Sequence, residues 1–191
     1  MQHLGTLRGT CSSAWGINNI GQVVGYTTTN SDIPTHTFLY SGNGPEQDLG
    51  TLGGSQSFAS GINDNGQVVG AAYTTGNNSH GFLYQNGSMQ DIGTLGGSYN
   101  SASAINNISQ IVGVSSTSGD TTTHAFLYQN GSMQDIGTLG SGSRAYGINN
   151  NGQVVGYSYI NGSVYHAFVY LSAVMYDLNN LIIGFSGDHN G

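Results

Sequence analysis

Four histidines stand in register along the chain, His36, His80, His124 and His166, each two residues ahead of a phenylalanine. Four aspartates, Asp48, Asp91, Asp135 and Asp177, form a second series, with His3 at the place an earlier copy would occupy. Imidazole and carboxylate are metal ligands and acid–base groups, so the two series raise the question of a metal centre or a catalytic site. Metal ligands must converge within a few ångströms, and equivalent residues of successive repeats are distributed round an axis. No His-x-x-x-His or similar local cluster brings two together. The structural reading is favoured: each His holds its repeat together by hydrogen bonds, and each Asp bonds nearby turn amides or the Thr three residues on. No metal and no cofactor are expected.

Catalysis fares no better. A serine nucleophile needs an exposed elbow and a base, and no Gly-x-Ser-x-Gly occurs. Glycoside cleavage needs two carboxylates in different environments; Asp32, Glu46, Asp64, Asp120 and Asp188 are scattered. Asn63-Asp64-Asn65-Gly66 is close to a calcium loop in composition but lacks the alternating ligands and the terminal Glu. A hairpin turn explains it. The chain is expected not to be an enzyme.

The element that positions all these residues is a repeat. Gly61-Ile62-Asn63-Asp64-Asn65-Gly66-Gln67-Val68-Val69-Gly70 returns in variant form at Gly16, Ala104 and Gly147. A period of about 40–50 residues marks a propeller-like repeat architecture. Asn and Gly at the centre of this motif suit a hairpin turn, because both tolerate positive φ. Val-Val side by side predicts a strand covered on both faces. A variable loop leads to the His-x-Phe strand, and Gln85-Asn86-Gly87-Ser88 and Gln129-Asn130-Gly131-Ser132 are hairpin turns into a fourth strand, Met-Gln-Asp-Ile-Gly-Thr-Leu. A loop rich in Gly and Ser then returns the chain to the start of the motif. Four strands of about 5–6 residues with their connections account for the period.

The predicted fold is all-β: a β-propeller of four four-stranded antiparallel blades, open or part of a larger propeller. Residues 1–191 form a single repeat domain, with repeats at about 4–48, 49–91, 92–135 and 136–178 and residues 179–191 a degenerate further copy or tail. The opening Met1-Gln2-His3-Leu4-Gly5-Thr6-Leu7 is a fourth-type strand without its own blade. It can complete the last blade or pair with another molecule.

Composition narrows the partners. With no Lys, only Arg8 and Arg144 as permanent cations and a net charge of −7, the chain cannot neutralise phosphates. No nucleic acid is expected. No apolar run is long enough for a membrane-spanning helix, and low charge with abundant Gly, Ser, Thr and Asn suits an extracellular or cell-surface setting.

The His-Ala-Phe triplets at His124 and His166, with the Asp-Ile-Gly-Thr-Leu and Ile-Asn-x-x-Gly-Gln-Val-Val-Gly segments, resemble the HAF-repeat family of extracellular repeat proteins. The resemblance covers nearly the whole chain and departs at Thr37 and Gly81. It implies repeated β-structure and a surface or secreted location, and carries no catalytic residues.

Variation within this constant frame marks the candidate ligand-binding residues: Arg8, Gln56, Phe58, Tyr99, Asn100 and Arg144 in the loop after Gly-Thr-Leu, and Trp15 and Tyr146 just beyond. Aromatic faces and Arg forks are recognition groups, and loops on a rigid scaffold carry function. The leading expectation is a non-catalytic extracellular module that binds a neutral glycan or a surface protein on one loop face. The alternative is a structural protein that forms oligomers or filaments through its surplus terminal strand, and a propeller-type glycan hydrolase or lyase stands below both.

Overall fold

A computed structural model of the chain describes residues 9–29 and 35–180. Arg8, the strand expected over residues 1–7 and the tail from 181 onward lie outside the described residues. Sixteen strands form four separate four-stranded sheets, each an antiparallel meander in chain order. The first holds β1 (Ser12–Ile17), β2 (Val23–Thr28), β3 (Thr35–Tyr40) and β4 (Gln47–Asp48). The second holds β5 (Gly53–Ile62), β6 (Val68–Thr74), β7 (Ser79–Gln85) and β8 (Ser88–Asp91). In the third are β9 (Gly96–Ile105), β10 (Ile111–Thr117), β11 (Thr123–Gln129) and β12 (Ser132–Asp135). The fourth comprises β13 (Gly142–Ile148), β14 (Val154–Asn161), β15 (Val164–Leu171) and β16 (Val174–Asp177).

Three hydrophobic cores lie between consecutive sheets. Val24, Leu39 and Leu49 pack on Val68, Phe82 and Tyr84 of the second sheet; Val69, Leu83 and Ile92 pack on Ile111, Phe126 and Tyr128 of the third. Val112, Leu127 and Ile136 meet Val154, Phe168 and Tyr170 in the same way. In the second and third blades the adjacent apolar residues, Val68-Val69 and Ile111-Val112, thus serve two cores at once, one each side of the blade, as the unbroken apolar dipeptide predicted. Among the described residues no core joins the fourth blade to the first.

Each blade carries a bulge in its first strand, one residue before the Gly/Ala-Ile-Asn, as in the register shift between Ala59 and Gly61. The bulge drives a carbonyl against the glycine that ends Val-Val-Gly. A Cβ on Gly70 would lie 2.0 Å from the Phe58 carbonyl oxygen, and Gly25, Gly113 and Gly156 face the same conflict at 1.9 to 2.1 Å. Only glycine fits there.

Two expectations are corrected. The fourth strand is shorter than Met-Gln-Asp-Ile-Gly-Thr-Leu: in the second and third blades it stops at the Asp, and the glycine two residues on takes positive φ (Gly93 77°, Gly137 83°). The chain leaves the outer edge there to cross to the next blade. In the second and third copies, the Gly/Ser-rich segment expected as a loop is the first half of a ten-residue strand. Small side chains let it lie close against the second strand of its own blade: a Cβ on Gly54 would meet the Tyr73 carbonyl oxygen at 2.5 Å.

Candidate functional site

The four His and four Asp form pairs. Nδ1 of His36, His80, His124 and His166 lies 2.9, 2.7, 2.7 and 2.8 Å from a carboxylate oxygen of Asp48, Asp91, Asp135 and Asp177. The acceptor-only carboxylate puts the hydrogen on Nδ1. The other oxygen accepts the amide of Gly50, Gly93, Gly137 or Asn179, two residues on. Each pair therefore clamps the third strand to the end of the fourth and shapes the exit turn. The Thr hydroxyl bonds elsewhere: Thr51 and Thr94 donate to Gly54 and Gly97 carbonyls. The His166 hydrogen bond, aided by the Asn179 amide, holds the Asp177 carboxyl below the ordinary carboxylate range against a smaller opposing effect of burial. Among the described residues no three His, Cys, Asp or Glu side chains gather into a metal-ligand group.

A second constellation, which sequence reasoning took for turn chemistry alone, lies where the Ile-Asn-Asn/Asp turns meet. Asn18, Asn63, Asn106 and Asn149 each accept, through Oδ1, the backbone N–H of the Gln four residues on, at 2.8 to 3.0 Å. Each also donates from Nδ2 to that Gln's Oε1. This is why Asn and Gln recur together. The same Nδ2 makes a further bond from blade to blade: Asn18 to the Asn63 carbonyl at 3.0 Å, Asn63 to Asn106 at 2.9 Å, Asn106 to Asn149 at 2.9 Å.

The neighbouring residue runs a parallel relay. The Asn19 amide N–H donates to Asp64 Oδ1, the Asp64 amide to Asn107 Oδ1, and the Asn107 amide to Asn150 Oδ1. Asp64 also accepts from the side chains of Asn19 and Asn107 through Oδ2, both at 2.8 Å, and so ties the first blade to the third. Its carboxyl sits below the ordinary range, chiefly because of the Asn19 backbone N–H, then the Asn19 and Asn107 side chains.

Together the four turns line a cavity of about 300 Å³ whose wall includes Asn19, Asp64, Asn107 and Asn150. Its donors and acceptors are neutral amides and backbone groups around one already satisfied carboxylate. Such a mouth suits a ligand rich in hydroxyl or amide groups. The signal in the sequence was there: four copies of one polar pair, at the same end of the same strand.

The candidate ligand-binding residues lie on the first strands of their blades, and the structure divides them. Trp15 stacks on Tyr26, with ring centroids 6.3 Å apart, and Tyr26 meets Phe58 of the second blade edge-on at 5.3 Å. Three blades along, Arg144 lies 5.2 Å over the Tyr146 ring, and Tyr146, Tyr157, Tyr159 and Tyr165 form one aromatic cluster. Burial, and behind it the Tyr159 phenol, raises the Tyr157 pKa. Gln56 is half-buried and Tyr99 is exposed, both at the crossover end, opposite the amide mouth. Asn100 requires a correction: it is fully buried and donates to the Gly93 carbonyl, so it is a strut between blades.

The chain is similar to solved structures of proteins assigned as TolB. With one from Agrobacterium tumefaciens it shares 14% identity at a TM-score of 0.69, over 92% of this chain and 68% of that one. With TolB from Acinetobacter baumannii the figures are 13% and 0.64, over 88% of this chain and 43% of that one. The fold is a β-propeller. The likeness at this identity carries the fold and no site. No family model matches the chain, and no curated protein is significantly similar to it. The chain thus spans about two thirds of the length of the first of these chains and under half of the second. Among the described residues no helix is long and apolar enough to cross a membrane.

Proposed function

We propose that the chain is a non-catalytic, extracellular propeller module of the HAF-repeat type that binds a neutral glycan at its amide-lined mouth. The observation that carries this reading is the convergence of the four Ile-Asn-Asn/Asp turns on one cavity whose polar wall is neutral amides and backbone groups around the single carboxylate of Asp64. Sugar hydroxyls are donors and acceptors at once and match amide side chains in both senses. The carboxylates offer little to acid–base chemistry: the four repeat aspartates are held by histidines, and Asp64 is held by asparagines. A segment of a surface protein, with backbone amides in place of hydroxyls, is the second ligand this mouth would take.

The test is calorimetric titration with a panel of neutral oligosaccharides, on the wild-type chain and on Asn150→Ala and Asp64→Asn variants with unchanged far-UV circular dichroism. At least one oligosaccharide should bind. Losing a hydrogen bond of about 1.4 kcal/mol would weaken it about tenfold in Asn150→Ala. A panel without a binder, or binding indifferent to both substitutions, would sink the reading.

A further inference from the structure

Every joint between the described blades is built from the same two halves, and among the described residues one copy of each stands without a partner. On the trailing side of a joint stand Val24, Val69 and Val112, all fully buried; the fourth of the series, Val155, is 47% exposed. On the leading side, Ala59, Ala102 and Ala145 are buried, whereas Ala14 is exposed. The isoleucine that precedes the Asn is half-buried in the later blades, and in the first it is 70% exposed as Ile17. An apolar hollow of about 460 Å³ opens there between Ala14, Trp15, Ile17 and Val23.

The polar ties end in the same way. In the relay each Asn reaches forward to the next carbonyl, so among the described residues Asn149 Nδ2 is left with Gln153 only, while the Asn18 carbonyl accepts only from its own turn, at Gly21. The Asn150 amide is the next donor of the second relay, and Asn19 Oδ1 is its missing acceptor. A third tie joins the blades at mid-height. The Thr37 and Ala125 amides each donate to a serine of the following blade, Ser57 and Ser143, at 2.9 Å. Their counterparts are the exposed Ala167 and the exposed Ser12. Each donor at one end has its acceptor, by register, at the other.

We propose that the trailing face of the fourth blade docks on the leading face of the first blade of a second copy of this chain, head to tail. The occupant is specified by the joint itself: an apolar half built on Val155 meets an apolar half built on Ala14, Ile17 and Val23. Three N–H donors, Asn149 Nδ2, Asn150 N and Ala167 N, meet Asn18 O, Asn19 Oδ1 and Ser12 Oγ. The contact is heterologous, so it closes into a ring where the rotation allows and otherwise extends. Every residue named in this contact lies between 12 and 167, and the contact does not depend on the ligand of the mouth.

The experiment is sedimentation velocity with light scattering across a wide concentration range. It uses the wild-type chain, Val155→Arg on the trailing face and Ala14→Arg on the leading face, both side chains being exposed. The wild-type chain should form species of two or more times 19.8 kDa. Either arginine should shift association to concentrations at least about tenfold higher, with far-UV circular dichroism unchanged, because a charge is forced into an apolar contact. Mixing the two variants leaves one intact joint, Val155 of one copy on Ala14 of the other, and should restore a pair. A wild-type chain that stays single at all concentrations overturns the proposal. So does association that survives both substitutions, or a mixture that stays single.

Discussion

Gly81 has no side chain because Asn100, in the next blade, occupies its place. A Cβ on Gly81 would lie 2.6 Å from Asn100 Oδ1. In the joints on either side the same two positions hold Thr37 with Ser57 and Ala125 with Ser143, a residue larger than glycine facing one smaller than asparagine. The one departure to Gly in the His-x-Phe triplet is thus set by a residue 19 positions further along the sequence. Gly81→Ala alone should destabilise by about 1–3 kcal/mol through overpacking. Adding Asn100→Ser should recover most of the loss, since that pair is already in use at Ala125 and Ser143. Chemical denaturation of the two single variants and the double variant measures the coupling, and additive losses would mean the two sites do not touch.

The relay predicts unequal costs for equal substitutions. Asn63 is buried and accepts from the Asn65 and Gln67 amides while donating to the Asn106 carbonyl. Asn63→Ala strands those groups and should cost about 1–3 kcal/mol for a buried donor or acceptor left unsatisfied. Asn149→Ala removes the same turn contacts on an exposed residue with no described blade beyond it. Its loss should be clearly smaller in urea unfolding.

Each His–Asp clamp is half open to solvent, so its contribution is modest. His80→Ala should lower stability by about 0.2–1 kcal/mol, the range of exposed ion pairs. A loss of several kcal/mol in denaturant titration would mean the clamp does more than join two strands.

Acid should loosen the mouth by a definite route. Asp64 and Asp177 have folded-state pKa values below the ordinary 3.8. The stabilisation each contributes is therefore fully present above about that pH and is lost as pH falls through the lower folded value. Thermal melts between neutral and strongly acidic pH should show this decline in the wild-type chain. Asp64→Asn should lose part of it, being unable to take up the proton; an identical profile would refute the role given to Asp64.

Much of the fold was legible because the repeat prints it four times. The paired valines announced a strand covered on both faces, and Asn-Asn-x-Gly announced the hairpin. What the sequence hid was anything that depends on proximity between blades. The His and Asp series were each visible, and their near-constant separation was a clue to the clamp. Only the antiparallel pairing of third and fourth strands makes that separation a contact. Asn100 looked like a surface amide because neighbours in its own stretch are small and polar, whereas its surroundings come from the preceding blade. The amide mouth was misread for the opposite reason: its residues are ordinary turn formers, and their convergence is a property of the axis. Trp15 and Tyr146 share one column, yet the three blade-to-blade steps between them place their aromatic clusters at different ends of the stack.

The one-way sense of the asparagine relay has a consequence for how such a chain can change length. Each interior blade receives one bond from behind and gives one ahead, so duplicating an interior unit such as Gly53–Asp91 with its crossover inserts one new donor and one new acceptor in balance. The terminal groups are left as they were. Stability then accumulates by nearest-neighbour increments, as in a one-dimensional lattice, and the quantum of evolutionary change is the whole repeat.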